Sequence, residues 1–233
     1  MAGTGRGILA RARQHVGEPY VNVQVPKNNA NWHGPWDCAE FASWLVFQEA
    51  GILYGCIDDN AAPAVADAYT GAWQTDSANR GNRISIAQAA GTAGAMVLRF
   101  PPEPGTMGHI AVCDGNGGTV EAMDHQHGVA ASTVHGRRWD TGVLIPGMTY
   151  DAAGNVNVTP APLIYRQGAT GLDPDVVRAI QRALVAAQLD PGPVDGIYGR
   201  NTAAAVAAYQ TIKGLVSDGE VGPQTAREMG VTI

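Results

Sequence analysis

A thiol, an imidazole and a carboxylate together can carry out nucleophilic acyl transfer, and this chain holds one of each in settings that favour that chemistry. Cys38 directly follows Asp37, a good helix N-cap, and Glu40 stands at the capping-box spacing. Cys38 is thus expected at the first helical position, where unpaired N–H groups and the helix dipole favour an anion. That placement predicts a lowered thiol pKa and a nucleophilic sulfur. A thiolate nucleophile needs a base, and the base needs a group that orients it. His109 opens a strand after Gly105-Thr106-Met107-Gly108. Side chains alternate along a strand, so His109, Ala111 and Cys113 share a face. If the following hairpin pairs in an even register, Glu121 joins that face, opposite or diagonal to His109, and can fix the imidazole tautomer. An odd register would turn Glu121 away.

Other chemistry-bearing residues read differently. Cys113 lies mid-strand with no helix dipole and reads as a structural thiol; a Cys56–Cys113 bridge stays open, although three cysteines cannot all pair within one chain. Asp124, His125, His127 and His135 offer metal-type donors, but no HExxH helix accompanies them, so no metal is expected and no cofactor is required. Trp44 falls on the helix stripe and reads as core, whereas Trp32 and Trp36 sit in a loop and are candidates to line a substrate groove.

The elements that must hold these groups follow from periodicity. Residues 6–16 read as a short helix ended by Gly17-Glu18-Pro19, and 20–36 as a loop. A helix runs from Asp37 to Ala50, with Gly51 as its stop. Residues 52–94 suggest one or two short helices, and 95–100 a strand. The segments 109–113 and 119–123 flank the turn cluster Asp114-Gly115-Asn116-Gly117-Gly118 as a hairpin, and further strands are expected within 129–145. Residues 151–167 shift to Asn, Pro and Ala like a linker. Beyond it, Asp173 caps a helix with Pro174 at its first position, and DGIYGRNT and DGEVGPQT form an imperfect repeat, each leading into a further helix. The architecture read from the chain is α+β over about 1–150, a linker at 151–167, and a small three-helix domain over 168–233.

Composition narrows the partners. A formal charge of −6 without any Lys/Arg cluster argues against nucleic acid. No run reaches the ~18 apolar residues of a membrane span, so no stable membrane insertion is expected. The N-terminal residues lack the apolar stretch of a secretory signal, which predicts synthesis in a cytoplasm.

Tyr20 after Gly17-Glu18-Pro19, then Asp37-Cys38-Ala39-Glu40-Phe41, Gly108-His109-Ile110-Ala111-Val112, and Gly115-Asn116-Gly117 with Val120-Glu121-Ala122 resemble the NlpC/P60 family of murein peptidases. The order Tyr, Cys, His, polar residue is the family's order, and the interval from His109 to Glu121 is the family's spacing. The resemblance spans roughly residues 6–146. It implies a papain-like domain with the nucleophile on a helix packed on an antiparallel sheet. It also implies hydrolysis of the γ-D-glutamyl–diamino acid bond of murein stems, with Cys38, His109 and Glu121 as catalytic residues. Tyr20 is then expected at the oxyanion site and Trp36 in the substrate groove. Two departures stand out: Ala39-Glu40 replace the family's Ser-Gly, and the loop from Tyr20 to Cys38 is long. The related CHAP amidase/endopeptidase group is the near alternative, with a zinc-dependent murein peptidase and a non-catalytic wall binder behind it.

Asp195-Gly196-Ile197-Tyr198-Gly199, Thr202, Tyr209-Gln210, Asp218-Gly219 and Val221-Gly222 with Thr225 resemble the three-helix PG_binding_1 domain, which implies peptidoglycan as the partner of a monomeric enzyme. Action in the periplasm or wall would then require release through phage holins or delivery by a secretion system, and in the latter case an immunity protein is expected.

Overall fold

The computed structural model describes residues 3–80, 82–103, 105–151, 164–169 and 171–233. It divides into two compact units, Met1–His135 with Trp139–Val158, and Gly136–Arg138 with Thr159–Ile233. Of the linker read at 151–167, residues 152–163 lie outside the described residues.

The first unit is built from α1 (Gly5–Gln14), α2 (Cys38–Ala50), α3 (Thr70–Asn79), β1 (Arg83–Ile84), α4 (Ile86–Ala90), β2 (Met96–Arg99), β3 (His109–Cys113), β4 (Gly118–Asp124), β5 (Gly128–Thr133) and β6 (Thr141–Val143). The six strands form one antiparallel sheet in the order β1-β6-β2-β3-β4-β5. The α+β architecture expected from the sequence is the one observed. Period-2 alternation divides the sheet's side chains. Met96, Leu98, Ile110, Val112, Val120 and Ala122 join α1 and α2 in the main core, whereas Val97, Ala111 and Cys113 pack with Ala89, Ala90, Val134 and Trp139 on the other side.

Helix α2 begins as the Asp37-Cys38 pattern requires. The Asp37 carboxylate accepts from Glu40 N at 2.8 Å, and Gly51 closes the helix in the left-handed region at φ 69°. Glu40, however, is not the return arm of a capping box. Its side chain turns sideways into the protein, where it accepts from Val25 N at 2.8 Å, from Ala68 N at 2.6 Å, and from Lys27 Nζ at 2.5 Å. Lys27 also donates to Val25 O and Ala66 O, each at 2.9 Å. Both side chains are 0 % exposed. Burial lifts the Glu40 carboxyl to about 7, while Lys27 and the backbone donors pull the other way. The pair ties the loop 20–36 and the segment before α3 to the first turn of α2. The residues of the long loop and the Glu40 departure from the NlpC/P60 pattern are thus two halves of one strut.

In the second unit α5 (Pro174–Ala186), α6 (Arg200–Ile212) and α7 (Pro223–Met229) pack Val177, Ile180, Leu184, Tyr198, Val206, Tyr209 and Val221 into a small core. The repeated motif has a structural meaning. Gln181 Nε2 donates to Asp195 Oδ1, Ile197 O and Thr202 Oγ1, and its Oε1 accepts from Gly196 N. Gln210 Nε2 donates to Asp218 Oδ1, Glu220 O and Thr225 Oγ1, and its Oε1 accepts from Gly219 N. Each Asp-Gly turn is therefore clamped by a buried amide to the start of the next helix, which uses the repeat's polar groups internally. Among the described residues no helix is long and apolar enough to cross a membrane.

Breaking the strut on one side leaves an unpaired buried charge. Lys27→Met or Glu40→Gln is expected to destabilise the first unit by about 3–5 kcal/mol, and Lys27→Met/Glu40→Leu by less than either. Urea unfolding followed by tryptophan fluorescence checks this; single variants as stable as the parent would remove the strut from the account.

Candidate active site

Three local devices bring Tyr20 and Cys38 together. Trp36 N donates to Pro19 O at 3.0 Å and Val21 N to Trp36 O at 2.9 Å, a parallel bridge that lays Tyr20 beside the segment leading into α2. The Asp37 cap then starts the helix at Cys38. The Tyr20 hydroxyl lies near enough to Cys38 for the two groups to interact electrostatically. The backbone N–H groups of Ile110, the residue after His109, and of Ala39 lie on the side of the sulfur where they favour its anion. Burial raises the Tyr20 pKa further above its ordinary value, with Cys38, Asp37 and Asp124 adding to the effect, so the hydroxyl stays a proton donor.

His109 is held from two sides. Gly108 N donates to Thr70 Oγ1 at 2.8 Å, and a Cβ at Gly108 would lie 2.1 Å from Arg99 O, so only glycine allows β3 to start this close to β2. The β3–β4 ladder pairs Val112 with Val120 and Cys113 with Thr119. Continued, that even register sets Glu121 opposite Ala111 and diagonal to His109. The two side chains meet directly, His109 Nε2 against Glu121 Oε2, both nearly fully buried. Thr119 Oγ1 donates to the other Glu121 oxygen at 2.6 Å. Arg99 is the cross-strand partner of His109, and its positive charge favours ionisation of Cys38.

The lowered thiol pKa expected at the helix start is not what this environment produces. Cys38 is 5 % exposed. Burial pushes its thiol up to about 12 and the Asp37 carboxylate adds to the rise, against which the Ile110 and Ala39 N–H groups and Arg99 act in the opposite direction. Desolvation of a lone thiolate here outweighs the helix terminus. Trp36 also departs from its expected place in a groove. It is 0 % exposed and packs edge-on against His15, Phe41 and Trp44, so it is a core residue. Trp32 is half-buried against the same core and donates to Pro35 O at 3.1 Å, while Trp44 is buried as read. The three cysteines are free thiols.

The structure thus places Cys38 near Tyr20 and pairs His109 with Glu121, with Ile110, the residue after His109, close to Cys38. It adds Thr119 and Arg99, which the sequence reading passed over; the i,i+2 spacing of Thr119 and Glu121 on one strand was the available signal for the first. His125 is exposed with its ring centroid 5.2 Å from that of Tyr20, whereas His127 Nδ1 is engaged by Asp124 Oδ1 at 2.8 Å. Among the described residues the donors close enough to share an ion are not these but His15, Glu18 and His33.

A thiol raised in this way predicts a distinctive alkylation profile. Iodoacetamide labelling of Cys38, followed by peptide mass mapping, is expected to climb about tenfold per pH unit from pH 7 to 9, as thiolate accumulates below its pKa. A plateau reached below pH 8 would show a stable thiolate instead.

Residues 173–229 match the family model described as "Putative peptidoglycan binding domain" (PG_binding_1). A protein of Kitasatospora aureofaciens, described as an uncharacterized protein in the bpoA1 3′ region, is 35% identical over 92 residues, covering 36% of this chain and 78% of that one. Among solved structures, the NlpC/p60 domain of the peptidoglycan hydrolase SagA is 23% identical with a TM-score of 0.42, covering 61% of this chain and 99% of that one. The P60 domain of an antigen from M. avium subspecies paratuberculosis is 22% identical with a TM-score of 0.39, covering 60% and 91%. Over residues 173–229, with its three helices and paired glutamine clamps, the chain carries a domain of the PG_binding_1 family.

Proposed function

We propose that this protein is a peptidoglycan hydrolase of the NlpC/P60 type, which cleaves murein stem peptides by a thiol mechanism and is held on its polymer by the C-terminal domain. The observation that carries this reading is the engagement of His109 by the buried carboxylate of Glu121, one residue from Ile110, whose backbone favours the Cys38 anion. Such an acid gives a general base a fixed tautomer and a stabilised imidazolium.

In the reaction, the other His109 nitrogen, Nδ1, takes the Cys38 proton as the sulfur attacks the scissile carbonyl carbon. Moving the proton within the site creates a thiolate and an imidazolium together, a pair with no net charge, which offsets much of the desolvation that opposes a lone thiolate. The developing oxyanion receives the Tyr20 hydroxyl and the Cys38 backbone N–H. His109 then protonates the leaving amine, and water assisted by the same imidazole opens the thioester. Glu121 orients the ring, and Thr119 orients Glu121. The bond we assign is the γ-D-glutamyl–diamino acid linkage, carried over from the motif resemblance; amide cleavage nearer the glycan is the alternative within the same chemistry. Linking a weak wall binder to the catalyst raises its local concentration on an insoluble substrate. A phage lysin and an injected antibacterial effector both fit this design.

Cys38→Ala is expected to abolish release of soluble fragments from purified murein while co-sedimentation with it persists; undiminished digestion would remove Cys38 as nucleophile. Mass spectrometry of the fragments identifies the bond. Glu121→Gln is expected to lower kcat by about 10²–10⁴-fold with little change in KM. Wild-type turnover in that variant would leave the carboxylate without a role.

A further inference from the structure

The end of α1 and the loop 20–36 converge on one carboxylate. His15 Nδ1 lies 2.9 Å from Glu18 Oε2, and His33 Nδ1 lies 3.1 Å from Glu18 Oε1. One donor atom from each of the three residues lies within 4.8 Å of the others. We propose that His15, Glu18 and His33 form a binding site for a divalent transition-metal ion of the zinc class.

The spacing fits a coordination shell. With Zn–N and Zn–O bonds of about 2.0–2.2 Å in a tetrahedron, neighbouring ligand atoms sit about 3.3 Å apart. The two nitrogen-to-oxygen separations, one to each Glu18 oxygen, are near that edge, and with the three donor atoms within 4.8 Å of one another an ion can replace the imidazole protons that now face the carboxylate as the donors draw in. Binding in this way takes neutral imidazoles and releases protons. Two imidazoles and one carboxylate suit zinc and its neighbours rather than calcium or magnesium, which take oxygen shells.

The surroundings are those of a positioned ligand set. The His15 ring is buried, with aromatic edges around it: Trp44 at 5.1 Å, Trp36 at 5.2 Å and Phe41 at 6.0 Å between centroids. Trp36 Nε1 donates to Glu18 Oε2 at 2.5 Å, an outer hydrogen bond that orients the carboxylate. The Glu18 backbone is fixed as well, its N–H donating to His15 O at 3.0 Å and its carbonyl accepting from Val129 N at 2.8 Å. On the opposite side the His33 side chain is 75 % exposed. An ion there has three protein ligands and an open position for water, and it joins the end of α1 to the loop that carries Tyr20. This site is independent of the proposed peptidase chemistry.

The test is titration of metal-stripped, full-length protein with zinc chloride by calorimetry, with cobalt(II) substitution read by visible absorption. One ion per chain and a tetrahedral cobalt spectrum are expected. His33→Ala, whose exposed side chain makes a folding defect the least concern, is expected to weaken binding by about 10–100-fold or more. Zinc should raise the thermal midpoint of the parent and not of His33→Ala. Glu18→Gln should behave like His33→Ala, while His127→Ala and Cys38→Ala should keep full affinity, separating this site from the hairpin histidines and from the thiol. No zinc binding by the parent, undiminished binding by a folded His33→Ala, or loss of binding in His127→Ala or Cys38→Ala would each overturn the proposal.

Discussion

The first unit depends on one buried ion pair at the start of its central helix. Glu40 and Lys27 lie wholly out of water, and the lost hydration is offset only because every strong donor on the ammonium and both carboxylate oxygens find partners. Those partners are backbone groups of two segments with no regular structure of their own. An apolar contact would hold the same segments near α2, but it would not specify which peptide groups meet it. The charge pair does, and so it sets the path of the chain through Val25 and Ala68 beside α2.

From that anchor the geometry of the site propagates in short steps. The loop held by Lys27 leaves through Trp36, whose indole fills the core and whose backbone bridges Pro19 and Val21. That bridge sets Tyr20 against Cys38. The sheet supplies the other half, because the even register of β3 and β4 turns His109 and Glu121 to one face. Burial is the common price of this precision. It orients Glu121 and the Tyr20 hydroxyl, and it also makes a lone thiolate unfavourable.

The second unit shows the same economy with neutral groups. Its two Asp-Gly turns look in sequence like a ligand signature. In the fold their polar atoms are consumed by Gln181 and Gln210, which lock each turn to the next helix.

Local signals by themselves determined much of this protein. The Asp37 cap, the Gly51 stop, the hairpin around Asp114–Gly118, the His109–Glu121 interval and the three C-terminal helices are all written in neighbouring residues, because caps, turns and strand parity act over a few positions. What lay beyond that range was decided by tertiary structure. Nothing near Glu40 announces Lys27, and a tryptophan in a polar loop gives no sign that it will fill the core. The thiol's environment depends on how deeply Cys38 is buried, a property of the whole unit rather than of the helix terminus. The meeting of His15, Glu18 and His33 is of the same kind: their shared point in space exists only once the loop has been folded back onto α1.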